Sequence, residues 1–178
     1  MGAKPLWATL ALSMPEPDET WLDGFLDGFL ALAESEGVAL VGGDTTRGPM
    51  SITVTIHGVV LPDQALRRDA ARVGDVIAVS GTLGGAATGL RGLQQDSAEC
   101  PWPELRRRLD RPTPRLALGR YLAGRAHAAI DVSDGLLADL GHVLSASRVG
   151  ASLHLDALPT SDALRQAMPN SVQRHALQ

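Results

Sequence analysis

The sequence predicts an α+β fold, an α/β arrangement with a mixed sheet and not a regular doubly wound one. Residues 18–36 carry apolar side chains at helical spacing, whereas residues 51–61 alternate apolar and polar side chains, as a strand with two unlike faces does. The strands expected at 38–41 and 51–61 also follow one another with no helix between them, which breaks strict alternation.

Taken in order, Leu6 to Ser13 reads as a strand, stopped by Pro15 and Pro17. Asp18 is placed to cap a helix running to about Glu36, with Trp21, Leu22, Phe25, Leu26, Phe29, Leu30 and Ala33 on one side. Gly37 ends it. Val38 to Val41 is a short buried strand opening into Gly42-Gly43-Asp44, and Ser51 to Leu61 is the alternating strand. Pro62 to Arg72 is polar and charged and marks the expected domain boundary. Beyond it the pattern predicts a strand at Asp75–Ser80, a glycine-rich turn at Gly81–Gly85 and a helix near Ala86–Leu93. A surface loop at Gln94–Pro103 and helices near Glu104–Leu109 and Arg115–Ala123 come next. A strand at Ala128–Val132 leads through Ser133-Asp134-Gly135 into a helix reaching about Ser147, followed by a last strand at Ser152–Leu155 and a helical or frayed tail from Ser161.

Composition excludes several classes. Hydrophobic residues are 44% and charged residues 20% of the 178, ordinary globular usage that argues against wholesale disorder. Aromatic residues are only 3%, so the core must be built from Leu, Val, Ile and Ala. A formal net charge of −4 gives no electrostatic basis for nucleic acid or an anionic membrane as the main partner. The one cysteine, Cys100, excludes an intrachain disulfide and a multi-cysteine metal site. No apolar run is long enough to cross a bilayer, and the opening residues lack the apolar stretch of a signal peptide. The expected location is the cytoplasm.

Three constellations carry candidate chemistry. In Val41-Gly42-Gly43-Asp44-Thr45-Thr46-Arg47-Gly48-Pro49, two glycines let a ligand approach the backbone, and Asp44 at the strand's end can meet a hard cation. Thr45 and Thr46 add hydroxyls, and Arg47 is a candidate to face phosphate. The bare pattern fits equally a tight turn in which Asp44 and Thr45 bond their own backbone. In Ile130-Asp131-Val132-Ser133-Asp134-Gly135, Asp131 closes an apolar strand and shares a face with Ser133, while Asp134 lies where a helix begins. Two carboxylates crowded there repel unless a cation joins them, so the trio points to Mg²⁺; Ser133 alone reads as a helix cap. The third constellation, Ser80-Gly81-Thr82-Leu83-Gly84-Gly85, opens a helix as phosphate-holding turns do, yet lacks the Lys of a P-loop and fits a plain strand–helix turn as well.

Other residues rank lower. His57 reads as solvent-facing or hydrogen-bonded, His127 and His142 lack the spacing of a zinc site, and no G-x-S-x-G elbow supports a hydrolase. Arg106-Arg107-Arg108 reads as a solvated helix face.

Taken together, Gly42-Gly43-Asp44-Thr45-Thr46-Arg47-Gly48-Pro49 and Ile130-Asp131-Val132-Ser133-Asp134-Gly135-Leu136 resemble the two signature segments of the thiamine-monophosphate kinase family, within the superfamily of aminoimidazole ribonucleotide synthetase. Trp7-Ala8-Thr9-Leu10-Ala11-Leu12, Ile56-His57-Gly58 and Gly81-Thr82-Leu83-Gly84-Gly85 extend the likeness over nearly the whole chain. The resemblance implies transfer of the ATP γ-phosphoryl group to thiamine monophosphate with Mg²⁺, by positioning and charge neutralisation and with no protein nucleophile. It implies Mg²⁺ ligands at Asp44, Asp131 and Asp134 and nucleotide contacts at Gly43, Asp44, Ser133 and Arg68, the last beside Arg67. It also implies a homodimer, and a longer family member in which residues 1–62 are the remainder of an N-terminal ATP-binding domain and residues 63–178 the first part of a C-terminal one. The chain by itself is then expected to be an inactive or partial piece. Two other readings compete: another ATP-using enzyme of the superfamily, against which Thr45-Thr46-Arg47-Gly48-Pro49 argues, and a non-catalytic nucleotide- or metal-binding module.

Overall fold

The computed structural model describes residues 1–95 and 100–177. The chain divides into two compact units: Gly2–Ala65 with Leu116–Ala123, and Met1 with Leu66–Arg115 and Gly124–Gln178. Among the described residues no helix is long and apolar enough to cross a membrane.

The first unit is a three-stranded mixed sheet of order β2-β1-β3. β1 (Lys4–Met14) runs parallel to β2 (Ala39–Arg47) and antiparallel to β3 (Ser51–Val59). The parallel pair needs a crossover, supplied by α1 (Glu19–Ser35). Asp18 caps α1 as the sequence predicts, its Oδ1 accepting the Trp21 N–H at 3.0 Å. Trp21, Phe25 and Phe29, spaced four apart, stack along the helix with centroids 5.3 and 6.1 Å apart. Gly37, at φ +67°, and the Val38 N–H bond to Ala33 O at 2.8 Å close its end.

Pairing sorts β1 into two faces. Ala8, Leu12 and Met14 are buried on one, and their even-numbered neighbour Leu10 is half-buried there. Thr9, Ala11 and Ser13 share the other face with their β3 partners Thr55, Thr53 and Ser51. The alternation read from residues 51–61 is therefore real, although Ile52, Val54 and Ile56 remain largely exposed on the apolar side.

β2 departs from expectation. It runs through the glycines to Arg47 and does not stop at Val41. Its register slips between Ala8–Leu40 and Thr9–Gly42, leaving Val41 without an opposite residue, a β-bulge. Gly43, at φ +153°, then lies so close to β1 that a Cβ there would stand 1.8 Å from Leu10 O. Glycine at 43 is what lets the ladder continue, so Asp44 sits within the strand opposite Ala11 and not at its end.

The second unit is helical. α2 (Gly85–Gln95) and α3 (Pro103–Asp110) are packed together, and α3 starts on a proline where a missing N–H costs nothing. α4 (Leu116–Leu122) belongs to the first unit, whereas α5 (Leu136–Ser147), α6 (Asp162–Ala167) and α7 (Val172–Ala176) belong here. Leu83, Leu136 and Ala176 form a core, with Val79, Leu153, Leu158 and Leu177 against it. The Arg91 guanidinium, which can only donate, reaches His175 Nε2 at 2.7 Å and ties α7 to α2. The loop expected at Gln94–Pro103 lies partly outside the described residues.

The strands expected at Asp75–Ser80, Ala128–Val132 and Ser152–Leu155 form no ladder; the last gives way to a 3₁₀ turn at Leu155–Ala157. Their composition suits strands, but a strand exists only through its neighbours. Among the described residues, a single parallel bridge, Arg67 to Ala128, is what pairing these segments achieve.

Candidate functional site

In the first unit the bulge decides which face Asp44 occupies. Opposite Ala11, it lies on the hydroxyl-bearing face with Ser13, Thr46, Ser51 and Thr53, which line a shallow depression of about 100 Å³ with it. Thr45, opposite Leu12, lies on the apolar side, so the two threonines divide between the faces. The Arg47 side chain is exposed and bonds within its own unit. Its Nε donates to Pro15 O at 3.0 Å and its Nη2 to Glu16 Oε1 at 3.3 Å, fastening the end of β2 to the turn after β1. His57 stacks on Trp7, with centroids 5.9 Å apart.

In the second unit Asp131, Ser133 and Asp134 lie on the five-residue approach to α5, all exposed. Gly135, the N-cap of α5, takes φ +106°, a turn that a side chain would resist, and has none to cap with. Sequence reasoning missed Asp139. It is only 3% exposed, and its Oδ2 accepts the Ser133 N–H at 2.9 Å and the Asp134 N–H at 3.0 Å. Its signal was present: Leu136, Asp139 and Val143 make one buried stripe of α5, and an acid inside such a stripe must find donors.

Arg67 and Arg68 are separated by their bonds. Arg67 is held by Asp69, with Nε 2.7 Å from Oδ1, a hydrogen bond that is the main cause lowering the Asp69 carboxyl below its usual range. Arg68 is exposed, and its side chain makes no ion pair among the described residues. Its backbone is fixed: Ser147 Oγ, at the end of α5, donates to Arg68 O at 3.0 Å and accepts the Ala71 N–H at 3.1 Å. The Ala129 N–H reaches Arg67 O at 3.1 Å, so the Arg68 segment runs beside the one leading to Asp131.

Within either unit, among the described residues, no three His, Cys, Asp or Glu side chains form a group able to hold a metal ion unaided. The donors nevertheless suit Mg²⁺. Asp44, Asp131 and Asp134 are exposed oxygen donors, and Mg²⁺ is typically bound by one or two carboxylates, with water and substrate phosphates completing its shell. The glycine-rich turn at 81–85 is turned inward instead: the Leu83 N–H bonds Pro159 O at 2.9 Å, and a Cβ on Gly84 would stand 2.5 Å from His175 O.

The chain is similar to known proteins over nearly its whole length. Thiamine-monophosphate kinase of Salmonella typhimurium is 51% identical over 167 residues, 92% of this chain and 51% of that protein. The crystal structure of thiamine-monophosphate kinase from Stenotrophomonas maltophilia K279a is 53% identical, with a TM-score of 0.94 over 100% of this chain and 59% of that one. AaThiL complexed with AMPPCP and TMP is 31% identical, with a TM-score of 0.91 over 99% of this chain and 59% of that one. The chain spans about half the length of the curated relatives it matches. Residues 1–60 match the N-terminal and residues 72–173 the C-terminal domain of AIR synthase related protein, and with its α+β fold the chain belongs to that family.

Proposed function

We propose that this chain is part of a thiamine-monophosphate kinase, an ATP- and Mg²⁺-dependent phosphotransferase that makes thiamine diphosphate. The observation that carries the reading is the likeness over nearly the whole chain to proteins of that name, one of them complexed with AMPPCP and TMP. The site residues support it, since three carboxylates on its signature segments, and Arg68 outside them, are exposed and in no ion pair among the described residues.

In this reading Asp44, Asp131 and Asp134 hold Mg²⁺, which when bound neutralises phosphate charge and polarises the transferring group. Gly43 lets the nucleotide approach the backbone of β2, Ser133 contacts it from the loop before α5, and Arg68 offers planar donors to its phosphates. No side chain acts as nucleophile, because the acceptor is the phosphate of thiamine monophosphate. The protein's task is to align two anions in line. We place the division between an N-terminal and a C-terminal domain at about residues 62–63, and read the complete enzyme as a cytoplasmic homodimer. The segments without ladder partners are the surfaces that the remainder of such an enzyme would cover, and the chain alone is read as inactive.

The test is Asp131→Ala in the intact protein. Losing even an outer-shell partner of a metal ligand costs about 10- to 100-fold. Mg²⁺·ATP affinity, measured by calorimetry, is therefore expected to fall at least about tenfold, together with turnover of thiamine monophosphate. Unchanged affinity would remove the assignment.

A further inference from the structure

The loop that carries Asp131, Ser133 and Asp134 is not shaped by its own side chains. Two of its backbone N–H groups, those of Ser133 and Asp134, converge on one oxygen of Asp139 at 2.9 and 3.0 Å. Asp139 lies one turn into α5 and is nearly fully buried, on the same stripe as Leu136 and Val143. Placing a carboxylate there is costly unless charge-assisted hydrogen bonds offset it, and these two are the ones it makes.

The direction of those bonds matters. An acid in the first turn ordinarily serves the free N–H groups of its own helix. Asp139 reaches back past the N-cap, Gly135, to the two residues before the helix begins. Its backbone N–H meanwhile bonds Gly135 O at 3.0 Å in the ordinary helical manner. What the carboxylate fixes is thus the approach to the helix. With the N–H groups of Ser133 and Asp134 drawn inward, the side chains of Asp131, Ser133 and Asp134 are left exposed to solvent.

We infer that Asp139 is a positioning residue for the Mg²⁺·nucleotide site: a buried acceptor that sets where the Asp131 and Asp134 carboxylates and the Ser133 hydroxyl stand, without touching ligand itself. The inference rests on the proposed role of those three residues.

Position and charge are separable by two substitutions in the intact protein. Asp139→Asn keeps an acceptor oxygen at the same place but removes the charge. Asp139→Glu keeps the charge but moves the acceptor by one methylene. Positioning predicts that affinity for Mg²⁺ with a non-hydrolysable ATP analogue, by calorimetry, stays within about threefold of wild type in the Asn variant and falls about tenfold in the Glu variant. The amide proton signals of Ser133 and Asp134 should stay downfield in Asn and shift in Glu. The reverse order of affinities would make charge the determinant and overturn the inference. So would unchanged affinity in both variants, or an equal loss in both, the mark of a purely structural role. Absence of nucleotide binding by the wild type would instead sink the kinase reading. The amide signals alone would then decide whether Asp139 sets the loop.

Discussion

Asp75 is bound twice. The Arg72 N–H donates to its Oδ2 at 2.8 Å, and His127 Nδ1 lies 2.8 Å from its Oδ1. Both interactions hold the carboxyl below its usual range, the Arg72 N–H being the larger cause and His127 the next. Because the folded-state pKa is the lower one, the stability this group contributes is fully present above the unfolded value of about 3.9 and is lost as pH falls through the folded value. Asp75→Asn is therefore expected to flatten the loss of stability below about pH 4, checked by urea unfolding across that range. The pair is open to solvent, so added salt should shrink the effect. At this scale the legible residues were those whose chemistry is local, such as Asp18, which caps α1 three residues ahead of Trp21. The bonds of Arg47 were not legible, because its partners, Pro15 and Glu16, lie 32 and 31 positions away. Asp139 was missed because its purpose appears only when the chain folds back on itself.

Among elements, β2 offers the sharpest contrast. A Cβ on Gly43 would collide with Leu10 O at 1.8 Å, whereas one on Gly42 meets nothing within 4 Å. Gly43→Ala is expected to cost about 3 kcal/mol or more, as overpacking against a rigid backbone does. Gly42→Ala should change stability by less than about 1 kcal/mol. Urea midpoints of the two variants, measured side by side, check this. The same strand explains what the sequence could and could not convey. Helices α1, α2, α3 and α5 were legible because their signals are written within or beside each segment, in α1 the apolar period, the Asp18 cap and the closing Gly37. The end of β2 was not, because it is set by a slip in pairing with β1, thirty residues earlier in the chain. The apolar runs at 75–80, 128–132 and 152–155 had the composition of strands, but composition does not supply a neighbour to bond.

At the scale of the whole molecule, apolar surface is left uncovered both on the paired sheet, at Val41, Ile52, Val54 and Ile56, and where pairing fails, at Val73 and Val76, which are 92% and 91% exposed. Such surface marks a place where further protein ordinarily packs. The connectivity of the two units carries a different message. Met1 is grouped with residues 66–115, its O accepting the Leu66 N–H at 3.0 Å, and residues 116–123 return to the unit formed by residues 2–65. The polypeptide thus passes from one unit to the other four times, not once. Protease nicking inside Pro62–Ala65 would consequently yield two pieces, one carrying Met1 of the second unit and the other carrying residues 116–123 of the first. They are expected to travel as one species in gel filtration and to part only on a denaturing gel, much as a laced seam holds after one stitch is cut; separation under native conditions would show that the return segment contributes little grip.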